Sequence, residues 1–118
     1  MEGMEQRVRD RARVRLAAEV AGYALDVPAE QILDLRRGGP PVTFARHVAF
    51  YLSHIALQMS LARIAFVTGR DRATIAYAVR TIEDRRDTPH FDLWIDSLET
   101  MLRHAPAPTR RDRSAGAS

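Results

Sequence analysis

Apolar residues recur along this chain at helical intervals, and nowhere do they alternate with polar ones as a strand would require. From Gln6 to Tyr23, the positions Val8, Ala12, Leu16, Val20 and Tyr23 are three or four residues apart, and Asp26-Val27-Pro28 breaks the run. Pro28 suits a first helical position, so a short helix is predicted through Leu35, with Ile32, Leu33 and Leu35 turned to the core. Arg36-Arg37-Gly38-Gly39-Pro40-Pro41 reads as an extended loop, after which Thr43 is a candidate cap for a helix carrying Val48, Tyr51, Leu52 and Ile55. That helix is expected to be the central buried one. Thr88 and Pro89 open a last helix whose Phe91, Trp94, Ile95, Leu98, Met101 and Leu102 pack back on the domain. The pattern predicts an all-α helical bundle.

The stretch from Ser60 to Ile82 carries the most information. Leu61, Ile64 and Ala65 give a short helix one apolar face behind a Ser60 cap, and Gly69 supplies the left-handed stop. Ile75, Val79 and Ile82 then recur at i, i+4 and i+7, with Asp71 placed to cap this second helix. Helix, tight turn and helix together form a helix-turn-helix. Arg72, Ala73, Ala76 and Arg80 lie toward its outward face, where a duplex would sit.

Composition narrows the function. A chain of 118 residues with 46% hydrophobic content is sized for one domain, and it has no apolar run able to cross a membrane. No secretory signal opens the chain, so a cytoplasmic, nucleoid-associated protein is expected. Cysteine is absent, which removes disulfides and thiolate metal sites. The net charge of +3 suits a polyanion, and all 18 basic residues are arginine. Guanidinium forks match phosphates and guanine edges, but a GC-rich genome would leave the same bias.

Several groups have a bland reading beside the functional one. Arg7, Arg9, Arg11, Arg13 and Arg15 scatter into two sectors of a helix, which reads as a solvated linker, with membrane-surface or phosphate contact as the alternative. Arg70 and Arg72 read as phosphate and base contacts, with solvated charges after a turn as the alternative. Asp71 is first of all a cap. Arg36 and Arg37 fit a minor-groove arm or an exposed basic turn equally. His47, His54, His90 and His104 lack zinc spacing, and the adjacent Ser53 and His54 point apart on a helix, so neither a metal, a cofactor nor an enzyme activity is expected. Glu83, Asp84 and Asp87 around Arg85 and Arg86 read as a solvated helix end, and Trp94 as core.

In the order of its parts the chain resembles the C-terminal DNA-binding domain, domain IV, of the bacterial replication initiator DnaA, from about Val14 to Leu102. The resemblance rests on Val14-Arg15-Leu16-Ala17-Ala18-Glu19-Val20, on Leu35-Arg36-Arg37, on Ala45-Arg46-His47-Val48-Ala49-Phe50-Tyr51-Leu52 and above all on Gly69-Arg70-Asp71-Arg72-Ala73-Thr74-Ile75. Apolar spacing gives an N-terminal helix over 1–24, and the small, polar, Pro- and Arg-containing composition of 105–118 gives a disordered tail; the resemblance implies a helix-turn-helix domain over 25–104. It also implies that Arg37 enters a minor groove, that Arg46 contacts DNA from the central helix, and that Asp71 and Thr74 are contacts of the recognition helix. The chain departs from the family at Arg72, where histidine is usual, at Ala73, where a hydroxyl is usual, and at His54, where a basic phosphate contact is usual. The turn at Phe66-Val67-Thr68-Gly69 is also shorter, which predicts a small change in the angle between the two helices.

With neither a Walker lysine nor a phosphate loop, the chain is expected to be a small non-ATPase regulator of replication initiation that binds double-stranded DNA. The sites would be Arg36, Arg37, Arg46, Arg70, Asp71, Arg72 and Thr74. The alternative is an adaptor that mimics the initiator's C-terminal domain and binds an AAA+ partner, DnaA or an Hda-type inactivator, without needing DNA.

Overall fold

The computed structural model describes residues 2–105, so the tail expected over 105–118 lies outside it apart from Ala105. Among the described residues there are six helices and no strand: α1 (Glu2–Leu25), α2 (Ala29–Leu33), α3 (Pro40–Ile55), α4 (Leu61–Thr68), α5 (Arg72–Arg85) and α6 (Pro89–Arg103). The fold is the expected all-α bundle around a helix-turn-helix, α4 and α5.

Helix α3 is the axis. Ala45, Val48, Ala49, Phe50, Tyr51, Leu52 and Ser53 are all buried, and α1, α2, α4, α5 and α6 pack around them. Helix α1 meets α3 through Val14, Ala17, Ala18 and Ala21, whose small side chains let two backbones approach closely. This corrects the stripe read from the sequence, because Val8 and Tyr23 are exposed. Successive steps of four drift around a helix, whereas positions 14, 17, 18 and 21 stay on one side.

Helix α1 ends where Asp26 takes a left-handed conformation (φ 59°) and the Val27 amide donates to the Gly22 carbonyl at 3.0 Å. The chain folds back so tightly that a Cβ on Gly22 would collide with the Val27 carbonyl oxygen. Helix α2 then buries Ile32 but stops at Leu33, leaving Leu35 exposed rather than in the core.

Helix α3 begins at Pro40, not after Thr43. Gly39, at φ 94°, is its N-cap, and Pro40 sits where a missing amide hydrogen costs nothing and a fixed φ is already helical. Ser60 caps α4 as expected, accepting the Arg63 amide at 3.1 Å.

Arg86 closes the bundle and is no solvated helix end. Its guanidinium reaches Asp92, Asp96 (2.7 Å), Glu99 (2.6 Å) and the Tyr51 hydroxyl (2.8 Å), joining α5, α6 and α3. Burial opposes its charge, but the bonds to Asp92, Tyr51 and Asp96 outweigh that and raise its pKa further. Arg85 lies 4.8 Å over the Phe44 ring and 4.4 Å over Phe91, and Trp94 stacks on Phe44. At the other end of the molecule Arg63 forks onto the buried Asp10, tying α4 to α1.

Candidate nucleic-acid interface

The turn is built as its residues dictate. Gly69 adopts φ 70° and ψ 24°, and the Arg70 amide donates to the Ala65 carbonyl at 3.1 Å, so α4 stops and the chain reverses into α5. Ile75, Ala78, Val79 and Ile82 bury one side of α5. That fixes the rotation of the helix and leaves Arg72, Ala73 and Thr74 exposed on its first turn.

Asp71 stands at the N-cap position, where its carbonyl accepts the Thr74 and Ile75 amides at 3.0 and 3.2 Å. Its side chain makes no capping bond, contrary to the reading from sequence. An exposed carboxylate therefore stands beside Arg72 at the start of the helix.

Arg70 points back instead of out. Its guanidinium lies 5.8 Å from the Phe50 ring of α3, and one terminal nitrogen is buried with no hydrogen-bond partner among the described residues. Burial lowers its pKa, and the neighbouring Arg46 lowers it further. An orphaned charged donor is costly, and such a group needs an anion or a water to satisfy it.

Arg46 corrects the role expected of it. The residue is 7% exposed, and its side chain is turned into the protein. Nε donates to the Ile32 carbonyl at 2.7 Å, and one terminal nitrogen is shared among the carbonyls of Gln31 (3.0 Å), Asp34 (2.8 Å) and Arg37 (2.9 Å). Those bonds hold the end of α2 and the loop after it. An arginine on a central helix beside a basic loop can as well support that loop as reach past it, and spacing does not distinguish the two.

The loop itself is a compact basic turn. Asp34 accepts the Arg36 amide at 2.9 Å and the Arg36 Nε at 3.3 Å, and these bonds, the backbone one first, hold its carboxyl below the ordinary range. Arg36 and Arg37 remain exposed. The Leu35 side chain lies against the turn, since a Cβ on Gly69 would stand 3.7 Å from its Cδ1. The basic loop and the helix-turn-helix turn are thus neighbours. Arg46 and Phe50, one helical turn apart on α3, support one each.

Tyr77 was not singled out in the sequence, and His47 was read only as a histidine without zinc spacing. His47 and Tyr77 meet edge to face across the seam of α3 and α5, with ring centroids 5.7 Å apart, and Tyr77 is exposed. Burial, then Arg46 and Arg70, push the His47 pKa down. The available signal was Tyr77 itself, an aromatic on the polar side of α5. His54, by contrast, is committed inward, its Nδ1 donating to the Met59 carbonyl at 2.7 Å.

Among the described residues no group of three or more His, Asp or Glu side chains could hold a metal ion, and no helix is long and apolar enough to cross a membrane. No curated protein matches the chain. A solved structure of a DNA replication initiation factor superposes on it with a TM-score of 0.74 at 27% identity, covering 86% of this chain. The replication initiator DnaA bound to AMPPCP and single-stranded DNA gives a TM-score of 0.72, again at 27% identity, over 87% of this chain. In both cases the match spans 32% of the larger protein. The family described as bacterial DnaA protein helix-turn-helix matches residues 9–82, from α1 through the buried stripe of α5. The chain therefore belongs to the bacterial DnaA helix-turn-helix family.

Proposed function

We propose that this protein binds double-stranded DNA and acts in the control of chromosome replication initiation. The observation that carries the reading is the Arg70 guanidinium, desolvated on Phe50 with one nitrogen unsatisfied, at the foot of a helix whose first turn exposes Arg72 and Thr74. Turned outward from Phe50, the side chain finds its missing acceptor in a backbone phosphate, and charge-assisted hydrogen bonds of this kind are the strong ones. Arg72 and Thr74 then face base edges, with Asp71 beside them, while Arg36 and Arg37 extend the contact toward the adjacent minor groove. Arg46 serves this site by positioning the loop. Family membership and the replication initiators it resembles support the process.

A second reading has its own observation. Arg46 and His54, two positions where the family resemblance places DNA contacts, both bond to carbonyls of the protein itself. That thinner phosphate-binding set favours an adaptor bound to an AAA+ partner, DnaA or an Hda-type inactivator. The variant with Arg70 and Arg72 both changed to alanine separates the two, because it removes two exposed or half-buried charges and leaves Ile75, Val79 and Ile82 in place. Duplex binding by fluorescence anisotropy and chromosome copy number by flow cytometry are read together, with AAA+ partner binding assayed alongside. Loss of both duplex binding and the effect on copy number supports DNA recognition; full effect on copy number with partner binding retained overturns it.

A further inference from the structure

The surface carries two patches of opposite charge, one with several exposed apolar side chains and one with a single leucine, that neither the turn nor the basic loop uses. On α1, Met4, Arg7, Val8 and Arg11 follow at i, i+3, i+4 and i+7 and so share a face, with Met4 67% and Val8 58% exposed. Arg7 lies 4.9 Å over the ring of Phe66 on α4, itself 62% exposed, which makes one surface of the two helices. The surface continues into a groove of about 270 Å³ between α1, α2 and α4, floored by Val14, Leu33 and Val67. Five arginines and one aspartate occupy positions 7–15, and that aspartate, Asp10, is already taken by Arg63.

The opposite patch lies where α5 passes into α6. Glu83, Asp84 and Asp87 are exposed there, and Leu93, one turn into α6, is 68% exposed. Among the described residues, none of these three carboxylates is in an ion pair, and neither are Arg7, Arg9, Arg11 and Arg13. Phosphate contact would satisfy the arginines of α1 but leave Met4, Val8 and Phe66 in water. An acidic surface with an exposed leucine beside it satisfies both, and this chain carries one.

We infer that the α1–α4 face docks on the α5–α6 junction of a second copy, head to tail. The two faces differ, so the contact is heterologous: each bound copy still presents one free face, and association continues beyond two chains unless the rotation closes a ring. The inference does not depend on DNA binding.

Sedimentation of the full chain without DNA tests it, over a concentration series at low and high salt. The weight-average mass should rise above the 13.3 kDa of one chain at low salt and fall back as exposed charges are screened. Arg7→Glu with Arg11→Glu should weaken self-association at least tenfold, and so should Asp84→Arg with Asp87→Arg, each keeping its helical circular dichroism. Mixed one to one, these two variants should associate again, because each retains the face the other lost and the two reversed faces are themselves opposite in charge. Phe66→Ser tests the same face without a change of charge and should weaken association as well. A one-chain mass for the wild type at every soluble concentration overturns the inference. So does full association by either charge variant or by Phe66→Ser, or failure of the two charge variants to pair.

Discussion

Arg46 Nε donates to the carbonyl of Ile32 at 2.7 Å, so the central helix holds the end of α2, and through it the basic loop, by a buried guanidinium. Bonds from a charged donor contribute about 1.5–3 kcal/mol net, and removing the donor leaves the carbonyls of Gln31, Ile32, Asp34 and Arg37 without it. Arg46→Ala should therefore destabilise the fold by about 2–3 kcal/mol in urea denaturation. Arg46→Lys should recover only part of that, because one ammonium cannot span the same carbonyls. Wild-type stability in the alanine variant would mean that the guanidinium is not a strut.

Arg72 and Arg37 should separate on duplexes. Arg72→Ala should relax base preference by about 1–3 kcal/mol, the value of a bidentate contact to guanine. Arg37→Ala should weaken all sequences alike and lower the slope of log K against log salt by about one unit. Anisotropy titrations on a set of base-substituted duplexes over a salt series read both. Equal losses on every sequence for Arg72→Ala would make it a phosphate clamp.

His47 should give duplex binding a pH dependence. Its pKa in the free protein lies below the ordinary 6.5, because burial and then Arg46 and Arg70 disfavour the imidazolium. A bound phosphate favours the imidazolium, so binding takes up a proton and affinity should rise as pH falls below about 6.5. His47→Gln should flatten that dependence while leaving affinity at high pH nearly unchanged. A wild-type affinity independent of pH between 5 and 8, a window set by the usual range of histidine titration, would remove His47 from the site.

Asp10 makes stability sensitive to acid. The bonds from Arg63, opposed by burial, hold its carboxyl below the ordinary 3.8, so the unfolded chain takes up this proton first as pH falls. The contribution is present above about pH 4 and is lost below it. Asp10→Asn should lower the melting temperature at pH 7 and flatten its fall toward acid. An unchanged acid limb would show that other carboxylates govern it.

Gly22→Ala should cost about 1–3 kcal/mol, the usual range for forcing atoms into a packed site. The added methyl group meets the Val27 carbonyl, which is backbone and cannot rotate away. Thermal melting of the variant reads the cost, and a neutral effect would mean that the turn after α1 opens freely.

What the sequence made legible were features encoded by neighbours in the chain, although two local readings, the α1 stripe and the Asp71 side-chain cap, failed. Ser60 caps α4 through a residue three positions on, Gly69 needs only its own φ, and the Ile75, Val79 and Ile82 stripe is a local period. Features formed between distant segments were misread or missed. The direction of the Arg46 side chain depends on where α2 lies, and Arg86 finds its acids on another helix. The His47 and Tyr77 contact exists only once α3 and α5 have packed. The start of α3 lies at Pro40, which the sequence reading places in the loop, because Gly39 can take the positive φ that precedes it.

Arg86 has a consequence at the opposite end of α5. It anchors the helix at its C-terminal end, and Arg72 stands fourteen residues away, about 21 Å at the rise of an α-helix. Over that lever arm a tilt of about 3° moves the first turn by about 1 Å, comparable with the tolerance of a directional hydrogen bond. Whatever the first turn of α5 grips, the accuracy of its grip is thus set in part by the acids of α6, which never approach it.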